Sequence, residues 1–350
     1  MNFSNILIHW YLQNKRNLPW RNTLNPYYIW LSEIILQQTR VEQGTAYYLK
    51  FVNKFPKVQD LANANEDEVL KLWQGLGYYS RARNLHFSAK YIVNDLNGEF
   101  PKTYNEIIKL KGVGDYTASA IASICFNEPT AVVDGNVYRV LSRYFGISTP
   151  INSSKGIKEF KLLAQELINH NDAATHNQAI MEFGAMMCKP QNPNCDNCPL
   201  NESCIALQKK MIKELPVKKG KVKVTKRFFN YLVVLSLNNK TILNKRIDKG
   251  IWRNLYEFPL IESKESLSEE AIRDHTYFQQ LFLEKSVVLK RFNTVEKVHK
   301  LSHQHLYSTF WIVNLSENLS EGINWNDFEN FAVPILIHNF VEELKHTQFF

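Results

Sequence analysis

Four of the five cysteines in this chain lie close together, as Cys188, Cys195, Cys198 and Cys204. Four thiolates on one compact loop suit a four-iron, four-sulfur cluster, and they also suit a structural zinc ion. Zinc sites usually hold two close pairs separated by a longer gap, whereas here the gaps are six, two and five residues. The spacing therefore favours the cluster, with zinc and four unliganded thiols as the alternatives. Cys125 stands apart in an apolar stretch and is predicted to belong to the core.

Two carboxyl groups stand in sequence settings that suit different roles in catalysis. Glu33 is embedded in the apolar residues of segment 30–39, where lost hydration raises the pKa of a carboxyl and makes it a general acid near neutral pH. Asp134 precedes a predicted helix, where an anion can stabilise a developing positive charge. Together they would divide acid and anionic roles as glycoside-cleaving enzymes do. The structural alternatives are a Glu on the polar edge of its helix and an Asp that only caps one.

A pair of glycines predicts a tight turn between two helices. Gly112 and Gly114 flank Val113, and a helix is expected to begin near Asp115. The bare amides of such a turn, and the helix N-terminus after it, approach a phosphate closely. The motif therefore predicts a helix-hairpin-helix that holds a nucleic-acid backbone without reading its sequence. An ordinary turn between helices fits the same residues.

The net charge of +8 is concentrated in one stretch. Residues 201–225 carry seven Lys and Arg against two Asp and Glu, whereas residues 226–350 carry 15 of each. Such a stretch suits a polyanion such as the DNA backbone, or it is a solvated tether. Hydrophobic residues make up 45% of the chain, which excludes a disordered or small disulfide-stapled protein.

The length suggests two domains, and the sequence pattern changes near residue 226. Residues 1–208 show apolar residues at helical spacing and are predicted to be an all-α domain. Residues 209–226 are lysine-rich and are predicted to be a linker. Residues 227–350 contain β-branched and aromatic runs separated by turns, with helices at 266–282 and 333–344, which predicts a smaller α+β domain.

The sequence shows neither a membrane-spanning segment nor an export signal. No apolar run reaches the roughly 18 residues of a spanning helix. The apolar N-terminal segment has no basic residues before it and no cleavage site after it, unlike a signal peptide. We therefore expect a cytosolic protein of bacterial type with no membrane partner.

These features, in this order, resemble the endonuclease III superfamily of DNA glycosylases and, within it, the MutY-type adenine DNA glycosylases. The resemblance covers essentially the whole chain. It implies a helix-hairpin-helix glycosylase domain of a six-helix barrel module and a cluster module, a [4Fe-4S] cluster on the four cysteines, and a Nudix-like domain after the linker. It also implies a monomer that acts on double-stranded DNA with A:8-oxoguanine or A:G mispairs.

One position separates the subfamilies. In lyase-active endonuclease III a lysine that forms a Schiff base follows the hairpin, and here that position is Tyr116. A phenol cannot form an imine. The resemblance therefore implies a monofunctional glycosylase that flips adenine out of the duplex, hydrolyses its glycosidic bond and leaves an abasic site.

The resemblance also implies a role for each matching residue. Glu33 is the proton donor, Asp134 stabilises the cationic sugar with support from Asn136, and Tyr116 lines the sugar side. Residues matched to the adenine pocket or to the side chains that enter the duplex are Trp20, Arg21, Gln38, Tyr78 and Gln178. Several of these have a simpler alternative as core residues.

The C-terminal domain is expected to recognise the oxidised base. Residues 250–259 resemble the MutT-like domain of the same family, but the following helix lacks the Arg-Glu-x-x-Glu-Glu pattern that holds magnesium in Nudix hydrolases. Pyrophosphate hydrolysis is therefore not expected. Ser302 and His303 stand where the family has Phe-Ser-His, and they are the candidates for contact with 8-oxoguanine. Leu301 replaces the Phe, which removes an aromatic ring that would wedge beside the lesion.

Three other functions share part of this pattern. The main alternative is a bifunctional endonuclease III-like lyase acting on oxidised pyrimidines, which Tyr116 and the second domain disfavour. A nucleotide-pool pyrophosphatase is disfavoured by the missing magnesium helix. A DNA-binding protein without catalysis is disfavoured by the presence of both Glu33 and Asp134.

Overall fold

The computed structural model describes residues 2–220, 223–283 and 285–347. By packing, the chain divides into a helical unit, Met1–Ala64 with Arg83–Gly220, and a sheet unit, Asn65–Ala82 with Lys221–Phe350. This division differs from the sequence-based ranges in two segments. Residues 65–82 pack with the sheet unit, and residues 209–220 pack with the helical unit. The predicted domain boundaries themselves stay a prediction.

Helices account for most of the first 208 residues. Their bounds are α1 Phe3–Asn14, α2 Pro26–Leu36, α3 Val41–Lys54, α4 Val58–Asn63, α5 Glu66–Leu72, α6 Ser80–Asp95, α7 Tyr104–Ile107, α8 Asp115–Phe126, α9 Gly135–Phe145, α10 Ser154–Leu167, α11 Ala173–Met186 and α12 Ile205–Gln208. Short 3-10 helices occupy Pro19–Asn22 and Asn201–Ser203.

Local sequence sets the bounds of α9, which carries a candidate catalytic residue at its start. The Asp134 carboxylate accepts hydrogen bonds from the backbone amides of Asn136 and Val137, two donors that a helix start leaves unpaired. Gly146 ends the helix in the left-handed conformation with a φ of 66°, which costs glycine little. The sequence therefore fixes Asp134 at the helix N-terminus.

Helix α11 lies at the centre of the helical unit. It packs against α1, α8 and α9, while α2 packs against α3 and α8. Large side chains such as Trp30, Phe51, Phe160 and Phe183 are fully buried in this interior. Because α2, α8, α9 and α11 share one core, side chains at their edges are held in fixed positions relative to each other.

The sheet unit contains short and long strands with three helices. The strands are β1 Thr225–Leu235, β2 Lys240–Thr241, β3 Asn244–Lys245, β4 Tyr256–Glu257, β5 Leu260–Ser263, β6 Val287–Arg291, β7 Lys297–Lys300, β8 Gln304–Leu315 and β9 Ile323–Asn324. The helices are α13 Glu269–Arg273, α14 Thr276–Phe282 and α15 Ile335–Lys345, with a 3-10 helix at Trp325–Asn330.

The main sheet is mixed and is covered on both faces. Its order is β5-β1-β8-β6, β7 also pairs with β8, and β1 runs parallel to β8 while the other pairs are antiparallel. Because side chains alternate between faces, Leu232 and Trp311 pack with Phe278 of α14 on one face. On the other face Phe310 stacks on Phe340 of α15, with ring centroids 3.8 Å apart.

The predicted fold class, a helical domain followed by a smaller α+β domain, is confirmed. The predicted helix at 266–282 is instead two short helices, α13 and α14. The reason is local: the Nδ1 atom of His275 accepts a hydrogen bond from the Tyr277 amide and starts a new helix there. Within the described residues, no helix has both the length and the apolar character needed to span a bilayer.

Polar contacts fix segment 65–82 within the sheet unit. Asp67 accepts hydrogen bonds from the Lys245 Nζ at 2.5 Å and from the Tyr256 hydroxyl at 3.1 Å. The Gln74 side-chain oxygen accepts one from the Val333 amide at 3.2 Å. These bonds hold the segment that carries Tyr78 on the sheet unit.

Candidate active site and iron–sulfur loop

A pocket in the helical unit brings together the predicted acid and three residues that the family resemblance matched to the adenine pocket. Trp20, Arg21, Glu33 and Gln178 line it, and apolar side chains such as Ile124 complete its wall. The cavity has a volume of about 40 Å³ and opens to solvent. Trp20 is 8% exposed, so its ring is both a core residue and a pocket wall.

Glu33 lines this pocket, and the pKa of its carboxyl is raised. The pKa of its carboxyl is raised to about 7, mainly by burial on α2, with a smaller contribution from the charge of Asp134. A hydrogen bond with Tyr116 and the charge of Arg21 act in the opposite direction. The carboxyl is therefore partly protonated near neutral pH, as the sequence setting predicted.

Asp134 sits in a different environment at the start of α9. In addition to the two backbone amides, its Oδ2 atom accepts a hydrogen bond from Asn136 Nδ2 at 2.7 Å. Burial raises the pKa of this carboxyl, while the three hydrogen bonds and the Arg139 guanidinium oppose that rise. Asn136 therefore contacts Asp134 directly, as its predicted supporting role requires.

Two residues that sequence reasoning missed hold Asn136 in place. Arg139 donates to the Asn136 side-chain oxygen at 2.9 Å and to the Gly184 carbonyl at 2.6 Å. A Cβ atom at Gly184 would lie 2.7 Å from the Cβ of Asn136, so only glycine fits there. The sequence offered one clue, since glycine inside a helix is unfavourable unless packing requires it.

Glu182 is a third residue that sequence reasoning missed. Its carboxylate is almost fully buried and forms paired hydrogen bonds with both Arg16 and Arg21, at 2.7 to 2.9 Å. Burial alone would raise the pKa of Glu182, but these hydrogen bonds and the charge of Arg21 outweigh it and lower the pKa to about 2. A planar guanidinium bound by two oxygens loses its freedom to rotate, so Glu182 fixes Arg21 at the pocket.

The side chains of Gln178 and Tyr116 are also held by hydrogen bonds. The Gln178 side-chain oxygen accepts one from the Tyr11 hydroxyl at 3.0 Å. The Tyr116 hydroxyl lies 3.3 Å from the Met181 sulfur and interacts with Glu33. Tyr116 therefore stands beside the predicted acid rather than away from it.

The glycine turn forms as predicted, with α8 starting at Asp115. Gly112 has a φ of +85°, which other residues rarely adopt, and a Cβ atom there would lie 2.7 Å from Asn84. Gly112 and Gly114 are exposed, whereas Val113 points into the core with 9% exposure. The turn therefore presents its backbone to solvent and anchors itself through one apolar side chain.

The residues predicted to enter the duplex or read the opposite base are exposed. Gln38 follows α2 in the helical unit and has a φ of +56°. Tyr78 and Ser302 belong to the sheet unit, where their hydroxyls are 2.5 Å apart. His303 is exposed next to Ser302, and its carbonyl accepts a bond from the Thr225 amide. The structure thus brings together Tyr78 and Ser302, which the sequence analysis had placed in separate groups.

The four clustered cysteines line one pocket in the helical unit. Zinc bound to thiolates at about 2.3 Å would hold the sulfurs within about 4 Å of each other. Among these described cysteines, no three sulfur atoms lie within 4.8 Å of one another. Ligands of a four-iron cluster bind separate corners of a larger group, so this arrangement fits the cluster better than one zinc ion.

Arginines of α9 tie the cysteine loop to the helical core. Arg139 donates to the Cys188 carbonyl at 2.7 Å, and Arg143 donates to the Lys189 carbonyl at 2.7 Å. Arg143 also lies 3.5 Å from the Cys188 sulfur and donates to the Leu215 carbonyl. These bonds place positive charge beside the Cys188 sulfur and hold Leu215, which lies within the lysine-rich stretch.

Helices α13 and α14, as far as the structure describes them, carry no cluster of metal-type ligands. Among the described residues, the one grouping of metal-type ligands is Glu329, His338 and Glu342, on other elements. The Lys345 ammonium already lies between those two carboxylates.

Known families match three parts of the chain. Residues 31–166 match the HhH-GPD superfamily of base excision DNA repair proteins, residues 188–204 the iron–sulfur binding domain of endonuclease III, and residues 230–343 the NUDIX domain. A solved structure of a thermostable thymine-DNA glycosylase has 31% sequence identity and a TM-score of 0.55, covering 59% of this chain and 95% of its own. The helical unit with its iron–sulfur domain is therefore that of a helix-hairpin-helix DNA N-glycosylase.

Curated relatives narrow this class. The adenine DNA glycosylase of Buchnera aphidicola subsp. Schizaphis graminum is 34% identical, covering 98% of this chain and 99% of the relative. That of Mus musculus is 45% identical, covering 59% of this chain and 42% of the relative. The chain belongs to the adenine DNA glycosylase family.

Proposed function

We propose that this chain excises adenine mispaired with 8-oxoguanine or guanine in double-stranded DNA, acting as a monomer in the bacterial cytosol. The observation that carries the proposal is the pocket where Glu33, Arg21, Trp20 and Gln178 meet beside a second, differently held carboxyl group. A buried pocket is required because the reactive atoms of adenine are inaccessible in the duplex and the base must be flipped out.

Glu33 supplies the proton that adenine needs to leave. With a pKa of about 7, much of Glu33 is in the acid form near neutral pH, and that form is still acidic enough to transfer its proton. The proton goes to a ring nitrogen of adenine, and the bond between the base and the sugar breaks with its electrons moving to the base. Glu33, now ionised, accepts a proton from the incoming water, whose oxygen bonds to the sugar.

Asp134 stabilises the positive charge that develops on the sugar. Its position is fixed by the α9 N-terminus and by Asn136 before the reaction starts, so no reorganisation is needed when the charge appears. The charge of Asp134 also raises the pKa of Glu33. The two carboxyl groups therefore take separate roles because their surroundings differ.

The other pocket residues position the base and the sugar. Arg21, held by Glu182, and Gln178, held by Tyr11, present fixed hydrogen-bonding groups, and Trp20 supplies an aromatic wall. Tyr116 lies beside Glu33 and offers a phenol, which forms no imine with the abasic sugar. The reaction therefore ends at the abasic site without strand cleavage by a covalent lysine intermediate.

The cysteines Cys188, Cys195, Cys198 and Cys204 hold the [4Fe-4S] cluster. The cluster supplies a rigid metal-based link that holds their loop against the helical core. The exposed turn of Gly112, Val113 and Gly114 contacts the DNA backbone through its amides.

The sheet unit reads the base opposite adenine. Guanine presents an acceptor at N7, whereas 8-oxoguanine presents an N–H donor there and an extra carbonyl. In the chain, the Tyr78 hydroxyl is within hydrogen-bond distance of the Ser302 oxygen. A bond donated by the more acidic phenol leaves Ser302 with one lone pair to accept the N7 hydrogen of the oxidised base, and His303 is the adjacent candidate contact.

Substrate preference tests the proposal. With enzyme in excess, free adenine is measured from duplexes in which A stands opposite 8-oxoguanine, G, C or T. Release is expected opposite 8-oxoguanine and G, and far less opposite C and T. Equal release from all four duplexes, or release only opposite T, would overturn the proposed mispair specificity.

The contact between Tyr78 and Ser302 gives a further prediction. Replacing Ser302→Ala is expected to lower the preference for 8-oxoguanine over G by about 5- to 10-fold, as expected for one hydrogen bond of roughly 1 kcal/mol. Because the two hydroxyls share one hydrogen bond, Tyr78→Phe should have little further effect in that background. The measurement is the ratio of adenine-release rates on the two duplexes. Ser266→Ala, at an exposed serine of the same unit, is the control; an unchanged ratio in S302A would remove Ser302 from recognition.

A further inference from the structure

Helix α6 supports the glycine turn at three points on one face. Asn84 packs beneath Gly112, where no Cβ atom would fit. One turn further along, the Ser88 hydroxyl donates to the Lys111 carbonyl at 3.1 Å. The Phe87 ring lies under the Lys111 ammonium, 4.2 Å from its centroid. The backbone and the side chain of Lys111 are therefore both held by α6.

The Phe87 ring contributes little to the packing of the helical unit. Its side chain is 54% exposed, and burial of its ring therefore adds little to the stability of the helical unit. An exposed aromatic face attracts a cation, most strongly when the cation approaches within about 6 Å of the ring centroid. The observed position of the Lys111 Nζ meets that condition.

The charge around the turn explains why a held lysine matters. Asp115 stands in the first turn of α8, where its negative charge opposes the binding of a phosphate. Lys161 pairs with Asp115 at 2.9 Å, and the Tyr104 hydroxyl donates to it at 2.7 Å. Lys161 thus compensates the negative charge of Asp115. Because Lys161 is used in this ion pair, a different cation beside the turn is needed to attract a phosphate.

We infer that Lys111, held by the ring of Phe87, supplies the positive charge of the DNA-backbone contact at the glycine turn, and that Phe87 is its positioning residue. The inference rests on the proposed DNA contact of this turn and adds a cation and its support to it. The ring restricts the Lys111 side chain before DNA binds, so the lysine loses less conformational entropy on binding. Its ammonium is already placed beside the exposed amides of Gly112 and Gly114.

Salt-dependent binding to an undamaged duplex tests the inference. Fluorescence anisotropy of the full chain with its cluster gives the slope of log affinity against log salt between about 50 and 200 mM KCl. Lys111→Gln is expected to make this slope shallower by about 0.9, the value for one phosphate contact. Lys90→Gln, at an exposed lysine of α6, is the matched control and should leave the slope unchanged.

Variants of Phe87 separate positioning from structure. Phe87→Leu is expected to weaken binding about two- to fivefold, the effect of one exposed cation–π pair, and to have no further effect in the Lys111→Gln background. Phe87→Trp keeps an aromatic face and should restore wild-type binding. An equal loss from Phe87→Leu in both backgrounds, or no rescue by tryptophan, would show that Phe87 does not act through Lys111.

The wild-type chain distinguishes failure of this inference from failure of the proposed function. If wild-type binding shows no salt dependence, the proposed DNA-backbone contact itself is wrong. If wild-type binding depends on salt and Lys111→Gln has the same slope, only the role of Lys111 is overturned.

Discussion

Replacing Glu33→Gln is expected to lower the rate of adenine release by a factor of about 10² to 10⁴, the usual contribution of a general acid. Glutamine keeps the shape of the side chain but has no acidic proton to transfer to the base. The rest of the pocket and the glycine turn are unchanged, so binding to a mispaired duplex should persist. Single-turnover release of adenine and anisotropy binding measure the two effects separately. Glu99→Gln, at an exposed carboxylate of the same unit, is the control.

The pH dependence of the wild-type chain follows from the same carboxyl group. Because the pKa of Glu33 is about 7, its acid form is lost as the pH rises above that value. The release rate should then fall by about tenfold per pH unit under conditions that saturate binding. A rate independent of pH between 6 and 9, or wild-type turnover by E33Q, would contradict the acid role.

Folding stability gives an independent measure of the Glu33 environment. The pKa of this carboxyl is higher in the folded chain than its ordinary value of 4.5, so the folded state binds the proton more tightly. Its contribution to stability is therefore present at low pH and is lost as the pH rises through about 7. Relative to wild type, E33Q should gain thermal stability at pH 8 compared with pH 5.

Replacing Asp134→Asn is expected to lower adenine release by a factor of about 10² to 10³, comparable to the loss of one preorganised charge-stabilising group. Asparagine caps a helix about as well as aspartate, so α9 should still begin at the same residue. The substitution therefore removes the negative charge and spares the fold. It should also lower the pKa of Glu33, since the charge of Asp134 raises it.

A second aspartate cap in the same unit serves as the control for Asp134. Asp172 caps α11 by accepting a hydrogen bond from the Thr175 amide. Asp172→Asn should leave adenine release near the wild-type rate and leave the circular dichroism spectrum unchanged. If D134N and D172N have equal rates, Asp134 is a helix cap and has no part in charge stabilisation.

Much of the site could be predicted from sequence because the responsible residues act through local settings. Glu33 lies within an apolar helix, Asp134 precedes a helix, and Gly112 and Gly114 flank one apolar residue; each pattern is complete within ten residues. The backbone then places each group at a helix edge or helix end. Such local rules predict the candidate general acid, the cap and the turn.

The supporting residues could not be predicted because their roles depend on distant contacts. Glu182 fixes Arg21 across 161 residues of sequence, and Gly184 is needed because Asn136 packs against it. The Tyr78 hydroxyl meets Ser302 across 224 residues. No periodicity or spacing encodes these pairs, since each arises only when separate elements pack together.

Segment 65–82 shows the same limit at the level of domains. Its helical pattern matches the residues around it, so sequence reasoning placed it in the helical domain. Its polar side chains instead bond to the sheet unit, as Asp67 does to Lys245 and Gln74 to Val333. Charge and hydrogen-bonding partners far along the chain decide this grouping.

The central claim, hydrolytic removal of adenine without a lysine intermediate, is tested most directly by one paired measurement. A duplex with A opposite 8-oxoguanine is incubated with the chain in the presence of borohydride, and free adenine and covalent protein–DNA adduct are quantified together. The account predicts stoichiometric adenine and an abasic product with little trapped adduct, because the family resemblance matches Tyr116 to the imine-forming lysine and a phenol forms no imine. Adduct formed in proportion to the adenine released would show a lyase and would contradict the account.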